Sequence, residues 1–229
     1  MATLYKIHPQ NPQKRKVEAV QAALRQGAVM LYPTDTVYAL GCDLRVKTAV
    51  QRVRQLKQLA NDKPLTFLCS SLSNIADYAQ VSDPAYRIIR RLIPGPYTFL
   101  LPASKQVPRL VMNPKRRTTG IRVPDDAICQ ALLAALDSPI ISTSALSLLK
   151  DQPRSASQLP NKFDLFDQME ALVDVIIDDD QPLQYALSTI LALGEDDSPV
   201  MLRQGKGWEA AADQGAVLAA EAVIPQLSH

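Results

Sequence analysis

Thr34, Asp35 and Thr36 put two hydroxyls and a carboxylate into three consecutive residues, just after the apolar run Ala28–Tyr32 breaks at Pro33. Proline cannot donate to a sheet ladder, so Pro33 belongs at a strand end or edge. The chain then resumes an apolar course through Val37-Tyr38-Ala39-Leu40-Gly41-Cys42. A strand that stops in a polar turn and restarts can shape the floor of a pocket. The same residues can also bond their own backbone in a capped turn. Arg122 poses a similar choice, because it sits between Ile121 and Val123 in a strand pattern. Its side chain can face solvent or point into a site. Asp178-Asp179-Asp180 suggests a metal, but an acidic loop after a strand accounts for it better.

The elements that must position these groups are legible in outline. Asn11-Pro12 reads as a helix start, with Val17, Val20 and Leu24 at helical spacing and Gly27 as the stop. A strand and then a helix over 48–59 follow. Short strands are expected at 65–69, 97–101, 119–123, 139–143 and 173–177, and helices at 83–93, 125–136 and partly 163–172. The runs 187–193 and 199–203 are close enough to pair antiparallel. Alternating strands and helices predict an α/β fold with a mostly parallel sheet, which the last strands make a mixed one. Residues 147–161 read as a loop or lid. After Trp208 the chain is Ala-rich, which predicts a peripheral helix or a mobile tail.

Composition narrows the chemistry. The chain has 229 residues and 47% apolar content, enough to bury a core. No run approaches the roughly 18 apolar residues of a membrane span, and no signal-peptide core is present, so a cytoplasmic location is expected. Cys42, Cys69 and Cys129 are scattered and read as buried thiols. His8 and His229 lie near opposite ends, which argues against a zinc site and a Ser-His-Asp triad. The net charge of +2 hides an asymmetry: residues 1–122 carry 20 Lys and Arg against 6 Asp and Glu, and residues 123–229 carry 5 against 17. Lys14-Arg15-Lys16, Arg90-Arg91 and Lys115-Arg116-Arg117 would attract phosphate if they shared a face. As separate runs they are solvated surface, the better reading for Lys14 to Lys16.

Seven stretches, in order, resemble the YrdC family. They are Tyr32-Pro33-Thr34-Asp35-Thr36-Val37-Tyr38-Ala39-Leu40-Gly41-Cys42, Leu56-Lys57-Gln58 with Lys63-Pro64-Leu65, Pro94-Gly95-Pro96-Tyr97-Thr98, Gly120-Ile121-Arg122-Val123-Pro124, Ile141-Ser142-Thr143-Ser144-Ala145, Ser188-Thr189-Ile190 and Met201-Leu202-Arg203-Gln204-Gly205. The opening Ile7 to Arg15 is more similar to the YciO branch. The resemblance implies one YrdC-like domain over residues 1–207, with an Ala-rich tail over 208–229. Its sheet would be twisted, mixed and flanked by helices, with a concave basic site. Proteins of this kind make threonylcarbamoyl-adenylate from threonine, bicarbonate and ATP, for threonylcarbamoyl modification of tRNA. Two anionic reactants must be brought together, so cationic clamps and oriented donors matter more than a nucleophile. The resemblance casts Lys57 as the catalytic lysine. It casts Thr34, Thr36, Lys63, Thr98, Arg122, Ser142, Ser144 and Arg203 as contacts to substrate and nucleotide. Mg²⁺ would arrive with ATP, and no protein-bound metal is expected.

The chain departs from the synthase pattern at two positions. Lys-x-Arg becomes Lys57-Gln58-Leu59, and Ser-x-Asn becomes Ser144-Ala145-Leu146. Leucine cannot replace a bidentate guanidinium or an amide. The preferred reading is therefore a YciO-like protein that binds an ATP- or AMP-type nucleotide and threonine or a threonylcarbamoyl-like ligand without efficient synthesis. Two readings stand beside it: an active threonylcarbamoyl-adenylate synthase, and a non-catalytic binder of tRNA or double-stranded RNA. None involves a membrane.

Overall fold

The computed structural model describes residues 1–58, 65–112, 117–148, 161–194 and 198–223. Lys63, Leu59, Lys115 and Arg116 lie outside them. In chain order the first elements are β1 (Thr3–Lys6), α1 (Lys14–Arg25), β2 (Met30–Tyr32), β3 (Ala39–Asp43), α2 (Lys47–Leu56) and β4 (Thr66–Leu68). Then come α3 (Leu72–Tyr78), α4 (Asp83–Leu92), β5 (Tyr97–Pro102), β6 (Thr118–Arg122), α5 (Ala127–Leu136) and β7 (Ile140–Ser144). The last are α6 (Lys162–Glu170), β8 (Val175–Asp178), β9 (Thr189–Ala192), β10 (Val200–Arg203), α7 (Trp208–Asp213) and β11 (Val217–Val223). This is an α/β fold with mixed sheet pairing, as the alternation of patterns predicts. By internal contacts it divides into two compact units: Met1–Leu59 with Asp126–Tyr185, and Ala60–Asp125 with Ala186–Ser228.

The first unit orders its strands β1-β8-β2-β3-β7. β8 pairs in parallel with β1 and β2, whereas β3 is antiparallel to both β2 and β7. Every residue of β2 and β3 is buried, which is why these strands read as apolar runs up to Asp43. Val17, Val20 and Leu24 form the buried stripe of α1, and Gln21 and Arg25 donate to the carbonyls of Ala135 and Leu136 at the end of α5. Gly41 is required by space: a Cβ there would sit 2.7 Å from the Tyr32 ring and 2.9 Å from Ile140 Cγ2.

The second unit orders its strands β4-β6-β5-β9-β10-β11. β4 and β6, β5 and β9, and β10 and β11 are parallel; β5 with β6 and β9 with β10 are antiparallel. The antiparallel pairing of the two late strands agrees with their short separation in sequence. Ser82 caps α4, its Oγ accepting from the Ala85 N–H, with Pro84 in the first turn.

Three local readings need correction. Asn11 does not cap α1. The N-cap is Gln13, without a side-chain bond, and the 10–11 backbone is held instead by His8 Nδ1, which accepts from the Gln10 and Asn11 N–H groups. Helix α3 was not expected, because Leu72 to Tyr78 is short and buries only Ile75. The helix expected after Trp208 is α7, but Val217 to Val223 beyond it forms a strand rather than a tail. Pairing with β10 outweighs the helical preference of its alanines.

Candidate functional site

In the first unit the polar turn between β2 and β3 folds on itself. Thr34 Oγ1 donates to the Val37 carbonyl at 2.8 Å, accepts from the Thr36 N–H at 3.1 Å and lies 3.0 Å from Thr36 Oγ1. Both threonines are buried. The capped-turn reading thus describes Thr34, and the turn is held in one conformation by its own hydroxyls. Ser142 faces Gly41 in the β3–β7 register and its Oγ accepts from Tyr32 Oη at 2.6 Å. Ser144 ends β7, with Oγ accepting from the Leu146 N–H at 3.3 Å. Leu146 therefore contributes a backbone donor here, but no polar side chain.

Lys57 is brought to the same place by the end of α2, where it is the C-cap residue. Its Nζ donates to the Ser144 carbonyl at 2.7 Å. Burial lowers its pKa from 10.5 to about 8, because desolvation penalises the ammonium. A desolvated lysine beside a serine at a strand end can hold an anionic group and can also exchange a proton near neutral pH.

Tyr38 closes the turn, and its surroundings escaped the sequence reading. Tyr38 Oη donates to Asp179 Oδ1 at 2.9 Å. Lys162 Nζ donates to Asp179 Oδ1 at 2.7 Å and to the Gln181 carbonyl at 2.8 Å, and pairs with Asp178 at 2.5 Å. The same ammonium sits 5.6 Å from the Tyr38 ring centre and 5.7 Å from that of Phe166. Burial alone would raise the Asp178 carboxyl, but bonds from Lys162 and the Asp180 N–H bring it below its ordinary value. Lys162 thus takes the place between Asp178 and Asp179 that a bound cation would need. Asp126 caps α5 by accepting from the Cys129 N–H at 2.8 Å. Burial raises its pKa, and the charges of Asp35 and Asp179 add to the effect.

In the second unit a different cluster forms where β5, β6 and β10 meet the segment before β9. Thr98 and Ser188, both buried, have hydroxyls 3.0 Å apart. Arg203 clasps Ser188 twice, from Nε to its carbonyl and from Nη2 to its Oγ, each at 2.8 Å. Burial and the nearby positive charge of Arg122 lower the Arg203 pKa to about 10. Arg122 ends β6 opposite Leu68 and is itself 7% exposed. Among the described residues, Arg203 enters no salt bridge. Gly205 is forced here, because a Cβ would run into the backbone of Leu187 and Ser188. Ser188 was part of a recognised motif, but only its contact with Arg203 marks it as a site residue.

The expected residues thus fall into two groups. Thr34, Thr36, Lys57, Ser142 and Ser144 belong to the first unit, and Thr98, Arg122 and Arg203 to the second.

Comparisons with known proteins identify the family. Escherichia coli YciO is 38% identical over 207 residues, which cover 90% of this chain and 97% of that protein. Its crystal structure superposes with a TM-score of 0.81 over the same shares. A threonylcarbamoyl-AMP synthase of Vibrio vulnificus is 30% identical over 164 residues, 70% of this chain and 84% of the synthase. The crystal structure of Pyrococcus abyssi Sua5 complexed with L-threonine is 26% identical with a TM-score of 0.79, covering 97% of this chain and 62% of Sua5. The family profile described as telomere recombination, Sua5/YciO/YrdC, matches residues 22–205. The chain belongs to the Sua5/YciO/YrdC family, as a YciO-like member related to the threonylcarbamoyl-AMP synthases.

Proposed function

We propose that this cytoplasmic protein binds an ATP- or AMP-type nucleotide and a threonine- or threonylcarbamoyl-like ligand, and serves tRNA threonylcarbamoyladenosine metabolism without being an efficient synthase. The observation that carries the proposal is Arg203. It is a half-buried guanidinium held by Ser188 and within the influence of the charge of Arg122. Burial penalises the Arg203 charge and Arg122 adds to that penalty, so a bound anion would offset both for Arg203. Phosphate is the anion that a guanidinium fork fits best. Magnesium would enter as part of the nucleotide, with no protein ligand assigned to it.

The first unit's cluster supports the amino-acid side of the reading. Lys57 and Ser144 offer a cation and a hydroxyl, as a carboxylate or carbamate requires. The relative Sua5, complexed with L-threonine, supplies the ligand class. The synthase step is disfavoured by Leu146, which offers only its backbone N–H, and by the leucine at position 59. Losing one oriented donor costs about 10²–10³ in rate.

Calorimetry with ATP, AMP and L-threonine tests binding. Incubation with ATP, threonine and bicarbonate, read by mass, tests synthesis. Nucleotide heat with little or no adenylate is the expected result. A well-folded sample giving no heat at millimolar nucleotide would overturn the binding proposal, and rapid adenylate formation would restore the active-synthase reading.

A further inference from the structure

The first unit carries a groove of about 520 Å³ between β1, β8 and α6, with Phe166 shared between its lining and the Tyr38–Lys162 cluster. Leu4 and Ile176 are partners in the β1–β8 register, so they point to one face of the sheet, and α6 borders the groove above them. Leu4 is 51% exposed and Phe163 is 86% exposed, a large aromatic surface left to water. β1 is also the last strand of its sheet. Phe163, Asp167 and Glu170 recur at i, i+4 and i+7 and so share one face of α6. Its buried side is formed by Leu165 and Met169. The helix therefore turns an aromatic and two carboxylates outward together.

The charges decide what fits. Asp164 spends a carboxylate oxygen on the Asn161 N–H in the capping box. Among the described residues, none of Asp164, Asp167 and Glu170 enters a salt bridge. An acidic rim around an apolar floor repels nucleic acid and anionic lipid. A twofold pairing of two copies through this groove would set the same carboxylates against each other, at a cost. We infer that the groove docks a basic, apolar-anchored segment of a different protein. A leucine, methionine or aromatic side chain would lie against Leu4, Ile176 and Phe163. Lysine or arginine near that anchor in sequence would meet Asp167 and Glu170.

The test is selection of a random peptide library on the full-length chain, in parallel with Phe163→Ala and with the double variant Asp167→Lys, Glu170→Lys. The wild type should enrich peptides that join an apolar anchor to lysine or arginine. A synthetic peptide of the winning sequence should bind at least about tenfold more weakly to either variant and weaken as salt rises. The charge-reversed protein should select acidic peptides instead. Phe163 and the two carboxylates project outward, so the variants should melt near the wild-type temperature. No enrichment on the wild type, enrichment of neutral or acidic peptides, or affinity indifferent to the variants would overturn the proposal. So would a wild-type dimer in light scattering that dissociates on Phe163→Ala, which would give the groove to a second copy.

Discussion

Around Tyr38, in the first unit, a half-buried lysine meets carboxylates; in the second, the half-buried Arg203 meets a serine and feels another arginine. Lys162 is shared between Asp178 and Asp179, and Tyr38 completes the bonding of Asp179. Arg203 spends its donors on Ser188 and feels the charge of Arg122. A neutralised cluster holds parts of the fold together and leaves little potential for a ligand. A guanidinium that feels a second positive charge gains when an anion arrives. If the proposed function holds, the contrast is between a structural charge and a binding charge, and variants of the two should respond in opposite ways.

Lys162→Met should be the most damaging change to stability. It leaves two mostly buried carboxylates without their cation, at a cost of about 3–5 kcal/mol. The gap to the wild type should depend on pH. Asp178 is held below the ordinary 3.8, so its contribution is present above that value and is lost as pH falls through the folded-state pKa. Thermal melts at pH 7 and near pH 3 check this: the gap should be wide at the first and narrower at the second. An equal gap at both would mean that the charge pairing is not what Lys162 contributes.

The double variant Leu59→Arg, Leu146→Asn should raise adenylate formation, and each single change should do less, since both groups would act on one anion. One restored donor is worth up to about 2.7–4 kcal/mol of transition-state stabilisation. Leu146 is half-buried, so a melt must accompany the assay. A stable double variant with no gain would place the difference from the synthases elsewhere.

Arg203→Ala should weaken nucleotide binding about 10- to 150-fold, the loss expected for hydrogen bonds to a charged group. It should lower stability less than Lys162→Met does, because it also removes the repulsion with Arg122. Calorimetry with AMP and a melt read both effects. If Arg203→Ala unfolds the protein and Lys162→Met does not, the contrast between the clusters is reversed.

What the sequence could show follows the range of the interactions. The turn at Thr34 to Val37 was legible because its bonds span two or three residues. The mixed sheet was legible because strand and helix periods alternate. The Tyr38–Asp179 bond spans 141 residues, and no local pattern announces it. Lys162 looks like any helix-start lysine until β8 brings Asp178 beside it. Arg203 was found by motif, yet its clasp on Ser188 and the influence of the Arg122 charge are visible only in the structure. β11 was missed because alanine propensity is weaker than an available sheet edge.

The smallest effect concerns Lys57, a cation bonded to the Ser144 carbonyl. Burial lowers its pKa from 10.5 to about 8. Between those values the unfolded chain holds more protons than the folded one, so stability rises with pH in that window. Below about 8 the penalty of the buried ammonium is present in full. In Lys57→Met the penalty is absent, so the difference in Tm, variant minus wild type, should shrink as pH goes from 7.5 to 10. For a chain of this length each kcal/mol is worth about 2–4 °C. A bound anion favours the charged form, so the wild type should also lose affinity for a carboxylate ligand above about pH 8. Lys57→Arg, which stays charged, should lose none from this cause. A Tm difference that is flat across the window, with ligand affinity also flat, would show that Lys57 titrates like a solvated lysine. It would then group with the surface cations rather than with Arg203.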